Sequence, residues 1–172
     1  MPIPMDEILA FHKSRTHRHI AAVNYFAGLM GYHFPKHDYD KFNDPIQVGY
    51  AYINYTNYHP DCKISQQYAD AFNKANREHH STQPHHIEYY KNVQNIPHDV
   101  LIEMVSDWCS ANFEQTNILH NNEFESVTDF FEKQLSHLNW TDAQRKTITQ
   151  TISFMEQNVD TQQLHNIWSG LI

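Results

Sequence analysis

The chain has 172 residues, with 20 acidic against 12 basic side chains, 14 histidines and a net charge of −8. That charge excludes a general nucleic-acid or anionic-membrane binder, since both need a cationic surface. The 4 glycines fall in no GxxxxGK[ST] or GxGxxG pattern, which excludes glycine-rich phosphate loops. Cys62 and Cys109 make no disulfide framework, and the first six residues show no basic-then-apolar leader, so a reducing, cytoplasmic setting is expected. No apolar run reaches the roughly 18 residues that a membrane span needs.

Helical periodicity dominates the chain. A first helix is predicted over Asp6–Met30, with Ile8, Phe11, Ile20, Val23, Phe26, Ala27 and Met30 at three- and four-residue steps and Gly31 as its stop. A short segment follows over His37–Phe42. Tyrosine-rich Ile46–Tyr58 reads equally as a helix or as an irregular passage. A further helix over Ile64–His80 places Ile64, Tyr68, Phe72 and Ala75 on one face with His79 next in the series. Pro84 separates it from a short segment over His85–Tyr90. Pro97 fits the first turn of a helix ending near Phe113. Two helices follow, Glu123–Leu138 and Thr141–Asn158, the second opened by a capping box of Thr141 and Gln144. The tail from Asp160 predicts one last turn ending near Gly170. No repeat or linker divides the chain. The expectation is a single all-α bundle of about six to seven helices.

Imidazole and carboxylate are the side chains that hold divalent transition ions, and here they cluster at His19, His37-Asp38, His79-His80 with His85-His86, and Asp107. His19 shares a helix face with Val23, Phe26 and Met30. Asp107 lies in the apolar stretch Val100–Trp108, where an unpaired carboxylate would be costly to bury without a cation or several donors. Each cluster alone also has a plain reading: a hydrogen-bonded core histidine, a helix cap, or polar surface. Tyr50, Tyr52, Tyr55, Tyr58, Tyr89 and Tyr90 read as core aromatics before they read as a nucleobase platform. Arg15 lies one turn before His19 and reads either as exposed or as a phosphate contact.

In this order the clusters resemble the HD-domain superfamily of metal-dependent phosphohydrolases. The resemblance rests on His19–Val23 as the first motif, on His37-Asp38-Tyr39-Asp40-Lys41 as the doublet motif, and on Glu103–Trp108 as the last. Pro84–Tyr90, with Ala75–His79 before it, is similar to a small bacterial and phage branch. The resemblance covers about residues 12–113, the later helices joining it loosely. It implies one or two divalent ions (Mn, Fe, Zn, Co or Ni) held by His19, His37, Asp38, His79, His86 and Asp107, with His80 and His85 as further ligands or substrate contacts. Asp40 stands where the superfamily usually has glycine, which adds a carboxylate near the metal.

The function implied is hydrolysis of a small nucleotide-type phosphoester by metal-activated water, with Asp38 and Lys41 as the catalytic pair and Arg15 and Lys41 on the phosphate. The same ligand types would also suit an HD-like di-iron oxygenase, and a non-catalytic nucleotide-binding protein is the third reading. A homodimer is compatible with this reading; a stable nucleic-acid partner and a membrane are not expected.

Overall fold

The computed structural model describes residues 3–63 and 65–170. It is all-α, with no strand among the described residues and seven α-helices. These are α1 (Met5–Leu29), α2 (Ile46–Tyr58), α3 (Gln66–Thr82), α4 (His98–Phe113), α5 (Val127–Phe130), α6 (Asp142–Asn158) and α7 (Thr161–Trp168). No described helix is long and apolar enough to cross a membrane.

Local chemistry explains most of the boundaries. Gly31 takes φ +80°, a conformation that costs glycine little, and so turns the chain after α1. The undecided Ile46–Tyr58 stretch is helical because tertiary packing decides it. α2 lies flat on α3, and Gly49 makes this possible: a Cβ there would sit 2.5 Å from Ala75 Cβ and 2.6 Å from the Ala71 carbonyl oxygen. The expected start of α3 at Ile64 lies outside the described residues. Pro97 takes extended backbone as the N-cap of α4, which therefore starts at His98, one residue later than expected.

The predicted Glu123–Leu138 helix is corrected. α5 starts only at Val127, where the Ser126 hydroxyl accepts from Asp129 N–H, and it passes at Phe131 into a π-helical turn, Phe131–Leu135. The tail is also longer than the single turn expected. Asp160 accepts from the N–H groups of Gln162 and Gln163 and nucleates the eight residues of α7. The capping box of Thr141 and Gln144 is present as read.

The main core lies between α1, α4, α6 and the α5 segment. Val105, Ile148, Met155 and Leu164 are fully enclosed there. α4 packs against α1 and α6, α7 closes over α1, and the α2–α3 pair covers the remaining side of α1. The buried stripe of α1 carries polar as well as apolar groups: His12, Thr16 and His19 precede Ala22, Val23 and Phe26 on it. On that polar half His12 meets Asn54 of α2, whereas His19 turns toward Asp107 and Ser110 of α4.

Candidate metal centre

Five elements deliver the site. α1 contributes His19 and α4 contributes Asp107, and the packing of these helices leaves His19 Nε2 3.0 Å from Asp107 Oδ1. The turn before α2 contributes His37 and Asp38. Asp38 has φ +59°, a left-handed conformation that aspartate visits more readily than most residues. The 3₁₀ turn Tyr39–Phe42 follows at once, with Lys41 N–H donating to the Asp38 carbonyl at 3.0 Å. The last turn of α3 contributes His79. The loop after it contributes His85 and His86.

Four groups of ligand-type side chains form among the described residues, and two of them meet at Asp38. In one, the ligand-type atoms of Asp38, His79, His85 and His86 all lie within 4.8 Å of one another; in the other, those of His19, His37 and Asp107 do. Asp38 Oδ1 is 3.2 Å from both His79 Nε2 and His85 Nε2, and 3.7 Å from His37 Nε2. Asp38 Oδ2 is 3.3 Å from His19 Nε2. His86 Nε2 is 2.9 Å from His79 Nε2. Atoms sharing one tetrahedral ion at bonds of about 2.0–2.1 Å stand about 3.3 Å apart, so this spacing fits a common ion.

The orientation of the rings points the same way. A metal-ligating histidine characteristically gives its other nitrogen to a carboxylate, hydroxyl or carbonyl. His37 Nδ1 lies 2.9 Å from Glu103 Oε1, His79 Nδ1 2.7 Å from Asp40 Oδ2, and His19 Nδ1 3.0 Å from Ser110 Oγ. Each Nε2 is thereby left facing Asp38 or Asp107. Three of the converging atoms, Asp38 Oδ1, His37 Nε2 and His85 Nε2, are buried without a hydrogen bond. Orphaned buried polar atoms are costly, and a cation among them would remove the cost for all three at once.

The electrostatics state the same demand for positive charge. Burial opposes protonation of His37, yet Asp38 above all, then Asp107 and Glu103, push it up to about 10. Burial opposes ionisation of Asp38, but Lys41 and His37 outweigh it and hold the carboxyl well below its usual range. Asp107 is held low against burial by His19 and His37. His86 is pushed down, first by burial and then by the neighbouring His85, which favours the neutral, metal-ligating form.

Of the residues read from the sequence, His19, His37, Asp38, His79, His86 and Asp107 come together, and His85 joins them as a full member. His80 stands at the rim, its Nδ1 3.1 Å from the half-exposed Glu88 and its ring stacked on His86 at 3.9 Å. Lys41 does not point to solvent. It is buried, with Nζ 2.8 Å from Asp38 Oδ2 and 4.5 Å from the Tyr50 ring.

Arg15 is the correction. It is neither exposed nor free to contact a phosphate, because both its terminal and its ε nitrogens bind the Glu114 carboxylate, the latter at 2.9 Å. Tyr58 donates to the same Glu114 at 2.9 Å. A buried guanidinium needs such a partner, and Glu114 comes from the π-helical turn Glu114–Ile118 that extends α4.

Sequence reasoning missed Glu103 and Ser110 as supports for the histidines. Their signal was available: they lie four residues before and three after Asp107, on the same face of α4. It also missed His12, buried with Nε2 2.8 Å from the Lys41 carbonyl and Nδ1 3.0 Å from Asn54.

Beside the centre lies a cavity of about 350 Å³ onto which His85, His86 and Asp107 open. The fold and these side chains define an all-α protein with a buried histidine–carboxylate cluster able to hold a metal ion. The chain belongs to a family of unknown function, DUF5662, whose model matches residues 9–161. No curated protein and no solved structure matches it.

Proposed function

We propose that the chain is a metal-dependent phosphohydrolase acting on a small nucleotide-type phosphoester. The observation that carries this reading is Asp38, whose two carboxylate oxygens face separate histidine groups with Oδ1 left unpaired. A carboxylate so placed suits a pair of ions, and its resemblance to the aspartate of the HD doublet supports the assignment. A bound divalent ion would supply Lewis acidity and a water of lowered pKa.

The chain's own residues then have distinct tasks. His19, His37 and Asp107 hold one position; His79, His85 and His86 hold the other; Asp38 belongs to both. Glu103, Asp40 and Ser110 fix the imidazole orientation from behind. Asp38 can also accept a hydrogen bond from a water in the centre and so orient it. Lys41 places its ammonium against Asp38, where it can offset negative charge growing on a phosphoryl group. The adjoining cavity gives a small organic phosphate a way in.

The test is elemental analysis of protein purified without chelators, followed by a phosphoester screen with Mn²⁺, Fe²⁺, Zn²⁺, Co²⁺ and Ni²⁺. One or two ions per chain and turnover of a phosphoester are expected. Failure of every added ion to bind would remove the metal centre. Oxygen uptake by the iron-loaded protein, with no phosphoester hydrolysed, would replace this reading by the oxygenase one.

A further inference from the structure

The cavity beside the metal groups is small and has an uneven lining. Its volume of about 350 Å³ lies near the lower end of the roughly 300–1,000 Å³ of ligand pockets, room for a compact molecule only. Where it meets the centre it is lined by His85, His86 and Asp107. α4 and the α5 segment supply apolar surface, chiefly Trp108, Phe130 and Leu135, with Gln134 as a neutral polar group. The Trp108 and Phe130 rings stand 5.4 Å apart at 70°, which gives the cavity an aromatic wall.

No lysine or arginine among the described residues lines this cavity. Arg15 is committed to Glu114, and Lys41, held against Asp38 at the metal groups, does not line the cavity. The one charged side chain at the rim beside His80 is the carboxylate of Glu88. An anionic group in this space is therefore neutralised only where it meets the metal groups and the Lys41 beside them. A second or third phosphate would lie against an apolar wall or near a like charge, and neither offsets the loss of its hydration.

We infer that this cavity receives the flat, uncharged leaving group of a phosphomonoester, a nucleobase-bearing alcohol, with its single phosphate at the metal groups, and that it selects against polyphosphates and sugar phosphates. The chemistry rests on the phosphohydrolase reading: water adds across the P–O bond, and an uncharged nucleoside and inorganic phosphate leave. The pocket assignment itself rests on shape and charge alone. Trp108 is a specificity-determining residue, since base–aromatic stacking needs a π-face and little else.

The test uses the full chain loaded with Mn²⁺ or Zn²⁺. Equilibrium binding of adenosine 5′-monophosphate, adenosine 5′-triphosphate, glucose 6-phosphate and inorganic phosphate is measured by calorimetry, and hydrolysis of the three esters is measured in parallel. The monophosphate should bind at least tenfold more tightly than the triphosphate or the sugar phosphate. Trp108→Ala should weaken it on the order of tenfold while leaving inorganic phosphate within about twofold, because phosphate reaches only the metals. Trp108→Phe, which keeps an aromatic face, should stay near wild type, and Glu88→Gln should narrow the gap to the triphosphate. Equal binding of all three esters would overturn the inference, as would a folded Trp108→Ala with unchanged affinity for the monophosphate. Selective binding without hydrolysis would uphold the pocket and remove the phosphohydrolase reading. Hydrolysis without selectivity would do the reverse.

Discussion

Asp40 offers a test of the metal centre that leaves every ligand in place. Its Oδ2 lies 2.7 Å from His79 Nδ1, and His79 is wholly enclosed while its Nε2 faces Asp38. Asp40→Ala removes the group that fixes the ring and raises its basicity as a ligand. Losing such a partner generally costs 10- to 100-fold in metal affinity, or about 1.4–2.7 kcal/mol. The Asp40 side chain is 17% exposed, so water can enter behind His79 and replace part of the bond. The expected loss is therefore near tenfold. Asp40→Asn keeps an acceptor but not its charge; charge-assisted bonds are about twice as strong as neutral ones, so this variant should lose roughly threefold. Competition with a calibrated chelator reads both affinities, and stoichiometry from the same titration should stay at the wild-type value. Affinities within a factor of two of wild type for Asp40→Ala, in a protein of unchanged Tm, would refute the assignment of His79 as a ligand held from behind.

Three further outcomes follow from the same geometry. Lys41→Ala should keep its metal and slow turnover on the order of 10²-fold, about 2.7 kcal/mol, the scale for one donor acting on developing charge; wild-type turnover on the best phosphoester would end that role. His79→Ala should reduce metal stoichiometry more than His80→Ala, because His79 faces Asp38 while His80 faces Glu88 at the rim; the reverse order in elemental analysis would contradict the placement. With His37 held protonated up to about pH 10 in the metal-free centre, metal uptake at pH 7 must displace that proton, and affinity must fall as pH is lowered. Calorimetry in two buffers of different ionisation enthalpy measures the release, and a value of zero protons per ion would count against His37 as a ligand.

How much of this could be read from the sequence follows from helix periodicity. His19, His79 and Asp107 sit on helices, and their phase relative to Val23, Ala75 and Met104 predicted inward placement; all three converge. Glu103 and Ser110 were equally legible from Asp107. His85 and His86 lie in a loop, where no period says which ring turns inward, and both do. The Arg15–Glu114 pair joins residues 99 apart in the chain through a π-helical turn that no local pattern announces. α2 was ambiguous because its decision belongs to Gly49 and the α3 surface it meets. The short α5 escaped for the opposite reason: apolar residues at helical spacing continue through Phe130, Phe131 and Leu135, but the backbone there widens into a π turn.

Among the described residues no candidate ligand comes from the C-terminal third, yet that third bears on the centre through α4. That helix has two working faces. Leu101, Ile102 and Val105 are buried in the core shared with α6, whereas Glu103, Asp107 and Ser110 turn toward α1 and the histidines. α6 and α7 thus hold α4 and α1 at the separation that sets the 3.0 Å approach of His19 to Asp107. This support is needed because the centre encloses Asp38 Oδ1, His37 Nε2 and His85 Nε2 without a hydrogen bond, a cost that remains even though cationic neighbours favour the ionised Asp38 and Asp107. A rigid apolar core on the far face of α4 offsets that cost and holds the candidate ligands together. An ion that binds only the folded chain then adds stability as RT ln(1 + [L]/Kd), about 2.7 kcal/mol at a hundredfold excess over Kd. The acidic centre and the apolar core are in this sense one structure, with α4 as their common wall.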